Sequence, residues 1–229
     1  MSKEFIEPTA NLKKMAGEVK EIHERILKAC ESDIRLKKIY SGCNIYWSPL
    51  YKNPDILFFG TNPSNRYGML NKFEPEVKLD KDDAFRKELK ECFWVVGKSE
   101  YTESIVFTNR YFFTTKNTKE LWQLFDIANK HFPNYKIQLK QEEWIQAIIN
   151  ELNPRLIIVG GKSIWEKFNK FNAETLEETN RTKVMKLNNI IIIAYKRDNQ
   201  FNRNKMSKKT KQEFIKLLGK YTNEKEYLK

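Results

Sequence analysis

Histidine and cysteine are both scarce in this 229-residue chain, with two of the first and three of the second. Cys30, Cys43 and Cys92 are well separated and show no Cys-x-x-Cys spacing, which argues against a disulfide framework and against a zinc site. Three thiols are also too few for a four-thiolate iron–sulfur cluster, so small buried apolar roles are expected. No metal and no cofactor is expected. His23 lies in an early helical stretch and His131 after a mid-chain one, positions that suit packing or surface roles. Long apolar runs are absent: even Ile190 to Ala194 is far too short to span a bilayer, so no membrane partner is expected. The start Ser2-Lys3-Glu4 lacks the apolar core of a signal peptide, and the expectation is a cytoplasmic protein. The eight glycines form no complete glycine-rich phosphate-binding fingerprint. No repeat, long linker or low-complexity tract interrupts the chain.

What is present suits one α/β domain over residues 1–229, since 40% of the residues are hydrophobic and the length supports a single large core. Leu12, Met15, Val19, Ile22, Ile26 and Cys30 make a helical stripe in an N-terminal segment at about 9–39. Phe85, Leu89, Cys92 and Phe93 repeat the pattern within 82–93, and Asn117 with Glu120 resembles a capping box opening the next helix. Further helices are predicted at 140–152, 162–170 and 207–221, the last with Ser207 as candidate N-cap. Between them stand four apolar runs of strand type: Ile56–Phe59, Ser104–Arg110, Asn153–Gly161 and Asn189–Arg197. The pattern predicts a three-layer α/β/α sandwich around a mostly parallel four-stranded sheet.

Two of these strands deliver an asparagine at their ends. Gly60-Thr61-Asn62-Pro63-Ser64 turns sharply after the first, and Thr108-Asn109 closes the second. In open α/β sheets, ligands bind beyond the carboxyl ends of the strands. Here the chain resembles the uracil-DNA glycosylase superfamily, whose first motif reads Gly-x-Asn-Pro-Gly in the mismatch-specific and single-strand-selective branches. Tyr67-Gly68-Met69 resembles the Phe-Gly-Met of the latter branch, with one residue more before it. Thr108-Asn109 matches the family's base-reading asparagine, and Asn153–Gly161 resembles its third strand. The matched segments run in the family's order from about residue 45 to about residue 215. The departure is at the last strand, where the family usually continues His-Pro-Ser or Asn-Pro-Ser and this chain has Tyr195-Lys196-Arg197. The family's histidine stabilises the leaving base, so its absence puts activity in question.

The resemblance implies a DNA glycosylase that hydrolyses the N-glycosidic bond of uracil or another deaminated base. It implies catalytic roles for Asn62, which would orient water, and for Tyr195 in the histidine's position. It implies base binding by Gly60, Asn109 and Phe73, and DNA contacts from Ser64, Lys196, Arg197, Arg203 and Lys205. An asparagine amide offers one donor and one acceptor in a plane, which suits the carbonyl and ring N–H of uracil. The charge distribution agrees with a nucleic-acid partner: of the net +12, residues 181–229 hold fourteen basic against four acidic side chains. An inert glycosylase-fold protein binding nucleic acid or a protein partner is the alternative. A doubly wound enzyme for a free nucleotide, with Gly60 and Gly161 near a phosphate, is the third reading.

Overall fold

The computed structural model describes residues 4–46, 48–61, 72–76, 84–161, 165–166, 168, 171–197 and 206–223. The four predicted strands are β2 (Ile56–Gly60), β4 (Ile105–Asn109), β6 (Leu156–Gly160) and β9 (Ile190–Tyr195). They form a contiguous parallel block in the order β4-β2-β6-β9. Each is rich in β-branched or aromatic residues and buried nearly throughout, as a strand covered on both faces must be. Alternate residues face opposite layers. Leu57, Phe59, Val106, Ile157, Val159 and Ile192 pack with helices α1 (Ala10–Ser32), α2 (Ile34–Ile39), α4 (Thr118–His131) and α5 (Ile137–Leu152). Ile56, Phe58, Ile105, Phe107, Ile158 and Ile193 face α3 (Ala84–Val95) and α6 (Lys208–Asn223).

The sheet is larger and more mixed than the four parallel strands expected. Among the described residues it holds nine strands, with β1 (Gly42–Tyr46), β3 (Lys72–Glu76) and β5 (Phe113–Thr114) added beyond β4, and β8 (Thr182–Leu187) and β7 (Glu174–Glu178) beyond β9. β1 runs antiparallel to β4, and β7, β8 and β9 form an antiparallel meander. The meander turns in two residues between Leu187 and Ile190, with Asn188 at φ 53°, a conformation asparagine tolerates. The single helical segment expected over 9–39 is two helices, because the Asp33 carboxylate accepts the Arg35 N–H at 2.9 Å and caps α2 while its own N–H closes α1. The helix expected at 162–170 lies mostly outside the described residues.

The register of the parallel block is locked at its amino end. The Ser104 hydroxyl donates to Asp55 Oδ2 at 2.7 Å and accepts the Asp55 N–H at 2.9 Å, and Arg155 Nη1 reaches Asp55 Oδ1 at 3.3 Å. Three strands thus start level and end level, so Gly60 pairs with Asn109 and Gly160 with Tyr195 along one carboxyl edge.

Candidate functional site

Asn109 ends β4 with its side chain on the α3/α6 face and leans across the neighbouring strand onto Gly60. A Cβ on Gly60 would sit 2.5 Å from Asn109 Oδ1, so only glycine leaves the amide in place. The residue is 6% exposed, and its Nδ2 is buried without a hydrogen-bond partner among the described residues. An unpaired buried amide donor costs roughly 1–3 kcal/mol. A ligand acceptor at this edge would recover it.

Gly160 stands level with Gly60 one strand further along, by the register that pairs Phe59 with Val159. A Cβ there would lie 2.8 Å from Arg197 Nη2 and 2.9 Å from both Arg197 Nε and Phe58 Cζ. The chain then leaves β6 through Gly161 at φ 128°, backbone open to glycine. Two adjacent strand ends therefore carry no side chain on this face. The space over Gly60 is taken by the Asn109 amide, and that over Gly160 by the Arg197 guanidinium and the tip of the Phe58 ring. Arg197 Cζ lies 5.9 Å from the Phe58 ring centroid, within range of a cation–π contact.

Tyr195, which the resemblance puts in the histidine's position, packs into the core on the α3/α6 face. Its side chain is 1% exposed and meets Phe214 of α6 edge-on, with ring centroids 5.3 Å apart, so it braces β9 against that helix. Burial pushes its hydroxyl well above the usual tyrosine range, and the Arg197 guanidinium beside it offsets only part of that. A phenol so buried is no general base near neutrality. Lys196 is exposed, whereas Arg197 is half-buried and folds back over the sheet instead of extending from it. Phe73 lies in β3, paired with Cys43 across the far side of the sheet; its side chain is outside the described residues. Asn62, Ser64, Arg203 and Lys205 also lie outside them.

Lys196 lines an open groove of about 410 Å³ with Asn180, Arg181, Ser207, Lys208 and Lys209. Its walls are the β7–β8 turn, the end of β9 and the first turn of α6. Ser207 Oγ accepts the Thr210 N–H at 3.2 Å, the N-cap expected from the sequence. Arg181 is held by Glu213 at 3.2 Å, and among the described residues no ion pair neutralises the groove's three lysines. Three strand steps separate Asn109 from Tyr195, so this groove begins about 14 Å along the same edge.

Sequence reading missed Arg110, Gly160 and Phe58. Arg110 follows Asn109, points to the opposite face and is 1% exposed, with Nη2 3.6 Å from Glu142 Oε1 and its guanidinium 5.2 Å from the Tyr111 ring centroid. Nothing in its local sequence marks a buried arginine. Gly160 was visible as a strand-ending glycine, but its role depends on Arg197, which the sequence puts 37 positions away. Among the described residues no three His, Cys, Asp or Glu side chains gather as a metal site would need. Two of the three thiols are unreactive in placement: Cys43 and Cys92 are buried, and burial pushes the latter up to about 12. None of the described helices is long and apolar enough to cross a membrane. Compared with known proteins, the chain matches no protein-family model and no curated sequence.

Proposed function

We propose that this chain is a DNA glycosylase-like protein that hydrolyses the N-glycosidic bond of uracil or another deaminated base. The observation that carries the reading is Asn109: a buried amide with an unpaired Nδ2 donor, leaning over a strand end that only glycine can occupy. An acceptor is what that donor lacks, and deamination replaces an exocyclic amine, a donor, with a carbonyl, an acceptor. A base extruded from a strand presents that edge to such a group. Asn62, beyond the end of β2, is the residue that the motif resemblance assigns to water activation. The lysine groove further along the edge supplies phosphate contacts, and a single-stranded or locally opened substrate spans the distance between them.

A second reading, an inert nucleic-acid-binding relative, is favoured by the burial of Tyr195 where the family usually has a catalytic histidine. One experiment separates the two. Oligonucleotides carrying uracil, hypoxanthine or xanthine are incubated with the protein and then cleaved with alkali at abasic sites. Scission at the modified position is the expected result, lost on Asn62→Ala with DNA binding retained and made unselective by Asn109→Ala. Binding without scission on any of the three substrates supports the inert reading.

A further inference from the structure

We propose that Glu213 sets the width of the lysine groove at the carboxyl edge and so positions it for the phosphates of a nucleic-acid strand. The inference rests on the glycosylase-like reading only in taking the groove's ligand to be such a strand. An acidic side chain is out of place in a basic groove if charge alone is counted, because its removal should favour phosphate binding. What Glu213 touches gives it a different role. Thr179 Oγ1 donates to Glu213 Oε2 at 2.8 Å, Thr182 Oγ1 donates to the same oxygen at 3.3 Å, and Arg181 Nη1 donates to Oε1 at 3.2 Å. All three donors come from the β7–β8 turn, and Glu213 stands on α6. These contacts, the Thr179 hydroxyl most of all, hold the Glu213 carboxyl below its usual range against the opposing effect of burial. Near neutrality it is therefore ionised and only accepts.

A hydroxyl has one proton to give. Because Thr179 commits its proton to Glu213, its lone pairs turn to the backbone, where they accept the Arg181 and Thr182 N–H groups at 3.0 Å each. The carboxylate thus orders the turn as well as tying it to α6. The turn needs that tie, since it joins a hairpin whose outer strand, β7, has no buried residue. The opposite wall is fixed independently: the Met206 N–H donates to both Glu88 carboxylate oxygens at 3.2 Å, and Phe214 packs on Tyr195. Lys196 follows the turn, because its N–H donates to the Arg181 carbonyl at 2.7 Å, whereas Lys208 and Lys209 follow the helix. Glu213 joins these two walls and so fixes how far the first lysine stands from the other two. A strand laid between cations already in place avoids the cost of ordering them on binding.

A second contact between hairpin and helix provides the comparison. Lys220 of α6 donates to Glu177 of β7 at 3.0 Å, and the two side chains are about as exposed as Arg181 and Glu213. It lies in the last turn of α6, about 18 Å along the helix from Lys208 and away from the groove.

The test uses the full chain and a labelled, undamaged single-stranded oligonucleotide, with affinity read by fluorescence anisotropy at fixed salt. Thr179→Val is the sharpest variant, because it removes the hydroxyl and changes no charge. It is expected to weaken binding about three- to tenfold, and Glu213→Ala at least as much, although the latter raises the net positive charge. Glu213→Gln is expected to recover part of the loss, since its amide oxygen still accepts the Thr179 hydroxyl. Glu177→Ala makes the same charge change as Glu213→Ala and is expected to stay within about twofold of wild type. Unchanged or tighter binding in Thr179→Val or in Glu213→Ala overturns the inference, as does an equal loss in Glu177→Ala. Should Glu213→Ala fail to fold, as followed by thermal melting, Thr179→Val decides alone. A wild type that does not bind the strand, or a variant with Lys196, Lys208 and Lys209 replaced by alanine that binds as tightly, overturns the phosphate reading of the groove and the inference with it. Weak binding by that triple variant beside an unaffected Thr179→Val overturns the role of Glu213 alone.

Discussion

At the scale of single residues, the two glycines behave as opposites despite their matched positions. A methyl group at Gly60 meets the tip of a side chain, Asn109 Oδ1, which can swing aside. Gly60→Ala is therefore expected to leave the melting temperature within a few degrees of wild type while displacing the amide. Loss of an amide-to-base match removes about 1–3 kcal/mol of discrimination, or roughly 5- to 150-fold in preference for uracil over cytosine. A methyl group at Gly160 meets Phe58 Cζ at 2.9 Å, in a ring packed into the core, and must strain it. Gly160→Ala is expected to cost about 1–3 kcal/mol in denaturant unfolding. If Gly60→Ala were the more destabilising of the two, the amide would be fixed in the core and the site assignment would fall.

At the scale of elements, the N-terminal helix pair is attached through a buried polar contact that makes it sensitive to pH. His23 of α1 is buried and its Nδ1 lies 2.6 Å from the Tyr40 hydroxyl, just beyond the end of α2. Burial lowers its pKa, with Glu24 opposing this weakly. In the unfolded chain the imidazole titrates near 6.5, so just below that pH the unfolded state binds more protons than the folded one. Stability contributed by neutral His23 is accordingly complete above about pH 6.5 and declines as pH falls toward the folded pKa. Urea unfolding at pH 7.5 and pH 5.5 is expected to show this loss in the wild type and a smaller one in His23→Phe. Equal pH dependence in the two proteins would clear His23 of the effect.

Element by element, legibility followed the range of the forces involved. The four parallel strands were readable because burial on both faces demands continuous apolar runs. The α4 cap was readable because Asn117 Oδ1 accepts the Glu120 N–H at 2.9 Å, a contact three residues long. β7, written Glu-Thr-Leu-Glu-Glu, was not: its three glutamates disfavour a strand, and pairing with β8 holds it in the sheet. β1 was hidden for a similar reason, since Gly42, Cys43 and Asn44 carry little strand signal and its partners lie far along the chain. In the site, Asn109 was visible as a polar residue ending an apolar run. The inward fold of Arg197 was not, because its seat is made by Phe58 and Gly160 on two other strands.

At the scale of the whole molecule, the basic excess divides into two roles that the sequence joined in one cluster. Lys196, Lys208 and Lys209 line the groove at the carboxyl edge, while Arg197, only one residue from Lys196, turns over the sheet. Phosphate contacts release condensed counterions, so each contributes about 0.7–0.9 to the log–log slope of affinity against salt. Replacing the three lysines together by alanine is expected to flatten that slope by about 2 to 3 and to weaken binding to undamaged DNA of any sequence. Arg197→Gln is expected to leave the slope within about 0.5 of wild type, because a guanidinium folded back over Gly160 and the Phe58 ring neutralises no phosphate. Fluorescence anisotropy with a labelled single strand at 50, 100 and 200 mM salt measures both. A flattened slope in Arg197→Gln would return that side chain to the phosphate role first read from the sequence. An unchanged slope in the triple lysine variant would mean that the groove is a solvated surface and that nucleic acid follows another track along the edge.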